Sequence, residues 1–169
     1  MKTIVDESAE RFVAKRVTRT YRQEINGSPS EVFPLLCPVR ERHWLHGWDC
    51  NMVYSESGYA EDGGVFTTKG ADGEADTIWL ITRRDETNHV IQFARITPDS
   101  RAVKLDIAVS ERGAGCSYVD IRYQFTALNE AGNRFTDAYS EERFLRVMRL
   151  WERSMNHYLA TGDMPVPRP

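Results

Sequence analysis

Most of the chain alternates between apolar and polar residues, and this two-residue period is typical of β-strands with one buried face. The first run covers residues 17–25, and six more follow at 50–57, 64–68, 75–84, 90–97, 102–111 and 116–128. The last six are separated by short segments rich in Gly, Asp and Asn. We therefore expect neighbouring strands to pair antiparallel, because parallel strands need a long crossover.

Two stretches have the spacing of helices instead. After the first strand, a serine cap precedes apolar residues at helical spacing, but Pro34 and Pro38 limit the stretch to two short helices. Between Ser140, a good N-cap, and Gly162, a good terminator, apolar residues recur every three or four positions and predict one long helix. Its expected buried stripe is Phe144, Val147, Met148, Trp151, Met155, Tyr158 and Leu159.

These elements predict an α+β fold in which a seven-stranded, curved antiparallel sheet wraps around the long C-terminal helix. We assign residues 16–162 to this domain, residues 1–15 to an N-terminal arm or short helix, and residues 163–169 to an extended tail. A chain of 169 residues is long enough to bury one core without metal or disulfide support.

The order of the elements resembles the helix-grip fold of the START-like (SRPBCC) superfamily, which includes birch-pollen-allergen proteins, polyketide cyclases and lipid-transfer domains. The resemblance spans roughly residues 16 to 161 and begins at INGSPSEVFPLL, where the first strand leads into the first helix. LCPVRE, GW, YSESG, VFTT and FTALNEAGN resemble an uncharacterised bacterial subgroup. The resemblance implies a cavity between the concave face and the long helix. It does not identify the activity, because carriers, cyclases and chaperone activators share the scaffold.

Composition narrows the classes of partner. The chain has 22 basic and 25 acidic residues with both signs interspersed, so no basic stripe is available for nucleic acid. Cys37, Cys50 and Cys116 have irregular spacing and are interpreted as buried, reduced thiols. No phosphate loop, dinucleotide fingerprint or serine elbow is present, so we predict no cofactor. Without a signal peptide or apolar span, we expect a soluble cytoplasmic protein, monomeric or homodimeric.

The residues expected to point inward include many aromatic side chains and methionines. Each one taken alone is best explained as core filling, but their number favours an adaptable apolar pocket. The candidate ligand-binding residues are Trp44, Trp48, Trp79, Phe93, Tyr123, Phe125, Phe144, Met148, Trp151 and Met155.

His43 and His46 are the candidate acid–base groups, because an imidazole titrates near neutral pH. Their three-residue spacing, with Asp49 and Cys50 nearby, also allows a metal site, but zinc sites need three or four convergent ligands. We favour packing at the surface or at the rim of the pocket, and predict no metal.

Arg95 is the third catalytic candidate, since it shares a strand face with apolar residues that point inward. Its guanidinium could bind a ligand carboxylate or enolate, or it could reach solvent or pair with an acid. Arg40 and Glu41 are interpreted as solvated charges on a helix surface.

Three functional hypotheses remain at this point. The leading one is binding, with or without transport, of a small and largely hydrophobic molecule such as a lipid, an aromatic polyketide or an isoprenoid. The second is a cyclase, aromatase or dehydratase that acts in the same cavity through His43 or His46 and Arg95. The third is a chaperone-activator-like interaction module that uses the exterior of the sheet. The sequence counts against this last hypothesis, because it shows no long exposed apolar patch.

Overall fold

The structure, a computed structural model, describes residues 12–71 and 73–166. Its strands are β1 (Arg16–Ile25), β2 (Asn51–Tyr54), β3 (Val65–Thr68), β4 (Thr77–Asp85), β5 (Val90–Thr97), β6 (Arg101–Gly113) and β7 (Cys116–Ala127). Its helices are α1 (Pro29–Val32), two 3-10 helices at Phe33–Leu36 and Glu41–His43, α2 (Glu130–Ala138) and α3 (Glu141–Thr161). Most of the predicted N-terminal arm, residues 1–11, and the end of the predicted tail, residues 167–169, lie outside the described residues.

The seven strands form one sheet in the order β1-β7-β6-β5-β4-β3-β2, and every neighbouring pair is antiparallel. Register shifts interrupt the pairing in β4 between Ile81 and Arg83 and in β6 between Glu111 and Gly113. Irregularities of this kind bend a strand and increase its twist. The predicted curved antiparallel sheet and its α+β class are therefore confirmed.

The concave face of the sheet carries the core. In β6, Val103, Leu105, Ile107 and Val109 are all buried, while the side chains between them are less so. β7 alternates in the same way along its length. The period of two thus places one apolar face against α3 and the short helices, and the other toward water.

Helix α3 is continuous, as predicted, and its two ends are capped. The Ser140 hydroxyl accepts a hydrogen bond from the Arg143 amide at 3.1 Å. Gly162 adopts a left-handed φ of 78°, and its amide donates to the Tyr158 carbonyl at 2.7 Å. The prediction that Val147 belongs to the buried stripe was wrong. Val147 is 37% exposed because it lies at the edge of the stripe, and the half-buried Leu145 packs against the core instead.

Helix α2 was not predicted from the sequence. Asn129 caps it by accepting a hydrogen bond from the Gly132 amide at 3.0 Å, and the Asn129 side chain also donates to the Asp99 carbonyl at 2.8 Å. Gly132 allows the helix to approach the β5–β6 turn closely, because a Cβ atom there would lie 1.9 Å from the Ser100 carbonyl oxygen. The helix is anchored by its cap and by this close approach.

Two further expectations about the surface were wrong. The convex face does carry an apolar patch, since Ile78, Leu80 and Ile96 are 45%, 40% and 37% exposed, and Ile78 pairs with Ile96 across β4 and β5. Cys37 and Cys50 are buried, but Cys116 is only half-buried because it lies at the β6–β7 turn. Within the described residues, no helix has the length and apolarity needed to span a membrane.

Trp151 provides a test of how α3 packs. Its side chain is 9% exposed and contacts Trp44 edge-on, with ring centroids 6.1 Å apart. Changing Trp151→Ala is expected to lower the free energy of unfolding by about 3 to 5 kcal/mol, because it leaves a large void in the core. Urea denaturation monitored by circular dichroism measures this directly.

The neighbouring Leu150 is 45% exposed and supplies the control. Leu150→Ala should cost about 1 kcal/mol or less. Equal losses in the two variants would contradict the assignment of the buried face of α3.

Candidate functional site

A small cavity lies inside the molecule between α3, the central strands and the segment that follows α1. Its lining residues are Pro38, Glu41, Trp48, Phe66, Trp79, Phe93, Leu105, Ile107 and Trp151. About 10 Å³ is open to the centre of a water-sized sphere, which is room for one water molecule. Aromatic rings therefore fill most of the space that the fold encloses at this point.

The rings around the cavity contact one another in a single network centred on Trp79. Phe66 stacks on Trp79 with centroids 5.2 Å apart and planes at 15°. Trp48 and Phe93 meet the Trp79 ring edge-on at 6.0 Å and 5.9 Å. The Trp79 indole N–H donates to the Thr68 hydroxyl at 3.0 Å, which fixes the ring orientation. These geometries are favourable for aromatic pairs and hold the wall of the cavity in place.

Trp48 marks the entrance to the cavity. It is half-buried, whereas every other lining residue is buried. Its indole N–H donates to the Pro38 carbonyl at 2.8 Å, and it follows Gly47, whose φ of 77° turns the chain. Trp48 is therefore the lining side chain with the most exposure to solvent, and one hydrogen bond and one ring contact hold it in place.

Glu41 is the ionisable group in the cavity wall, and the interpretation of it as a solvated surface charge was wrong. It lies in a short 3-10 helix and is only 5% exposed, because that helix turns the side chain inward. Within residues 12–71 and 73–166, its carboxyl group forms no hydrogen bond and no ion pair. Burial raises the pKa of Glu41 from 4.5 to about 8, so the carboxyl is largely protonated at neutral pH.

Arg95 extends from β5 on the concave side, as the sequence predicted from its strand parity. Its guanidinium carbon lies 5.0 Å from the Trp79 ring centroid and 5.9 Å from that of Phe125. Burial lowers the pKa of Arg95, and the buried Nε has no hydrogen-bond acceptor in the described part of the chain. The nearby Glu74 is paired with another residue, since it forms two hydrogen bonds with Arg101 at 2.6 Å and 3.0 Å.

His43 and His46 are both exposed, so neither imidazole lies in the cavity. His43 is near Tyr158, with ring centroids 6.3 Å apart, and His46 borders a surface groove beside α3. Asp49 pairs with Arg42 at 3.1 Å and does not join the histidines. Among the described residues, no three His, Cys, Asp or Glu side chains converge as a metal site would require.

The predicted ligand-binding residues fall into two groups. Four of them line the cavity, namely Trp48, Trp79, Phe93 and Trp151. The other six are buried in the surrounding core, namely Trp44, Tyr123, Phe125, Phe144, Met148 and Met155. Sequence reasoning missed Glu41 and Phe66. The alternation of the VFTT strand could have indicated Phe66, but nothing in the sequence distinguishes Glu41 from a surface acid.

Comparison with known proteins supports the fold. No family model and no curated protein matches the sequence. Among solved structures, norcoclaurine synthase from Thalictrum flavum is similar at a TM-score of 0.66 and 9% identity, over 95% of this chain and 99% of that one. The Zhui aromatase/cyclase from Streptomyces sp. R1128 has a TM-score of 0.61 at 9% identity, over 89% of this chain and 98% of that one.

A third similar structure, Ara h 8.0201, has a TM-score of 0.61 at 14% identity, over 87% of this chain and 99% of that one. Identities this low establish the fold and not the activity. The helix-grip fold, which the order of elements predicted, is confirmed.

The raised pKa of Glu41 predicts a pH dependence of stability. The contribution of the protonated Glu41 carboxyl to stability is complete below pH 4.5, where the group is protonated in both the folded and the unfolded state. This contribution is lost as the pH rises from 4.5 to about 8. Glu41→Gln removes the titration, so the variant should gain on the order of 3 kcal/mol of stability relative to wild type between pH 5 and pH 8.

Chemical denaturation of both proteins across that pH range measures the difference. Glu111→Gln changes an exposed carboxylate and serves as the control. A constant difference between Glu41→Gln and wild type would show that Glu41 ionises normally in the folded protein.

Proposed function

We propose that this protein binds a small, largely hydrophobic ligand in the cavity between the sheet and α3. The observation that carries the proposal is the wall around Glu41, where three tryptophans and two phenylalanines meet at a half-exposed entrance. Aromatic walls with few polar groups are typical of small-molecule sites. Transport of the ligand is part of the same proposal.

Binding requires the site to open, because the free space holds only one water molecule. Trp48 is the side chain best placed to move, since it is the partly exposed member of the wall and one hydrogen bond to Pro38 restrains it. A ligand ring would then take its place against the Trp79 edge. Ligand binding thus exchanges one aromatic contact for another and keeps the cavity wall packed.

One observation favours a second candidate, an enzyme of the cyclase or dehydratase type. General acid–base catalysis needs a group whose pKa lies near the working pH, and burial raises the pKa of Glu41 to about 8. In this role Glu41 replaces His43 and His46, and the Arg95 guanidinium would stabilise a developing enolate. A carrier releases its ligand unchanged, whereas an enzyme converts it, so mass spectrometry of the ligand after incubation separates the two candidates.

An electrically neutral fluorescent probe, N-phenyl-1-naphthylamine, tests the binding proposal. Wild-type protein is expected to bind one equivalent with a dissociation constant on the order of micromolar. Ile107→Phe should weaken binding at least about tenfold, because the larger side chain fills the cavity that Ile107 lines. Fluorescence titration gives both affinities.

Ile121→Phe is the matched control. Ile121 pairs with Ile107 across β6 and β7 and is equally buried, but it does not line the cavity. It should retain near-wild-type affinity. Wild-type protein that binds no probe, or two variants that lose affinity equally, would contradict binding at this site.

A further inference from the structure

The buried carboxyl of Glu41 has no structural role that its contacts explain. It forms no hydrogen bond or ion pair with the described residues, yet its side chain lies in the wall of the cavity and is 95% removed from solvent. Burying an unpaired carboxyl costs stability, and an apolar residue of similar size would avoid that cost. The cost is explained if a ligand supplies the missing partner.

We propose that the ligand carries an organic ammonium group, and that Glu41 and the surrounding aromatic rings bind this cation. The proposal rests on the proposed function, because it specifies the chemistry of the ligand in the same cavity. A carboxylate surrounded by aromatic rings provides a full negative charge and the negative faces of the rings. Among the described residues that line the cavity, Glu41 alone carries an ionisable group.

The charge of the ligand is inferred from the interactions that the Glu41 carboxyl can form with an anion, a neutral group or a cation. An anionic ligand would be repelled by an ionised Glu41 and would gain one hydrogen bond from a protonated one, and a neutral hydroxyl would likewise gain only one hydrogen bond. An ammonium group gains an ion pair in a water-poor site and also contacts the tryptophans. The Arg95 guanidinium contacts the Trp79 ring from outside the cavity, since its central carbon lies 5.0 Å from the Trp79 centroid and Arg95 is not among the lining residues.

The ionisable groups around Glu41 do not supply this partner. Cys50 and Tyr123 both have raised pKa values, chiefly through burial and in part through Glu41, so both are neutral at pH 7. Arg42 is paired with Asp49 at the surface. The charge of Arg95 acts to lower the pKa of Tyr123, and Glu41 is not among the groups that shift the pKa of Arg95. The carboxyl therefore remains available to a ligand.

Binding by this route releases a proton. The carboxyl of Glu41 is mostly protonated before binding, and it transfers its proton to the buffer as the ammonium group arrives. The product is an ammonium–carboxylate pair, and no other bond changes. Close to one proton per ligand should be released at pH 7, since the pKa of the free site is about 8.

Calorimetry with three ligands of one shape tests the inference: benzylamine, benzyl alcohol and benzoate. Titrations at pH 7 in two buffers of different ionisation enthalpy report both affinity and proton release. Wild-type protein is expected to bind benzylamine at least about tenfold more tightly than the alcohol or the acid. Glu41→Gln should lose both this preference and the proton release.

Glu111→Gln removes one exposed carboxylate and should leave the preference unchanged, which controls for net charge. If wild-type protein binds the alcohol or benzoate as tightly as benzylamine, or releases no proton, the ammonium inference is overturned while the proposed function stands. If it binds neither these ligands nor N-phenyl-1-naphthylamine, the proposed function itself fails.

Discussion

The attachment of α3 to β1 determines where a ligand-binding cavity can form between the helix and the sheet. The Gln23 side chain donates to the Met148 carbonyl at 3.0 Å, and the Tyr21 hydroxyl donates to Glu152 at 2.9 Å. These bonds fix the helix near one edge of a sheet that is seven strands wide. The concave face toward β3 and β4 is covered instead by large side chains and by the loop that carries Trp48. The cavity lies where these two coverings meet.

The buried ionisable groups without an ion-pair partner in this region are informative, because Arg101, another buried ionisable residue, has such a partner. Arg101 is deeply buried, but it pairs with Glu74 and lies over the Phe135 ring at 3.6 Å. Among the described residues, Glu41 forms no ion pair with a cation and Arg95 forms none with a carboxylate, although Arg95 does contact the Trp79 and Phe125 rings. Local rules of burial are broken mainly where function requires it, so these two positions favour a binding or catalytic role for the cavity. The exposed histidines give no comparable indication, because an exposed imidazole bears no cost of burial.

The sequence predicted the fold well because long strands and long helices repeat a simple period. The alternation in β6 and β7 and the stripe of α3 each extend over ten or more residues, so single exceptions such as Val147 do not change the result. Short elements are harder to predict from sequence, because they contain too few residues to show a clear period. Helix α2 is nine residues long and depends on the Asn129 cap and on the contact of Gly132 with a distant turn.

The candidate site was less predictable for the same physical reason. Glu41 faces inward because of a single 3-10 turn between Cys37 and Trp44, and a turn of that length has no periodic signature. Trp79, Phe93 and Arg95 were found because they lie on long strands, where parity decides the direction of a side chain. The positions of the other site residues in the loop at residues 37–50 depend on tertiary contacts, which the sequence pattern does not reveal.

The pairing of β1 with β7 has a consequence for how the chain folds. Ten residue pairs join these strands in continuous register, from Arg16 with Thr126 to Ile25 with Ser117. The two residues of each pair are about 100 positions apart in the sequence. Closing so long a loop costs conformational entropy before the contact contributes any stability. Because α3 rests on β1, the last helix can dock only after this closure. Folding should therefore be slow, and during synthesis the core remains incomplete until α3 has been made.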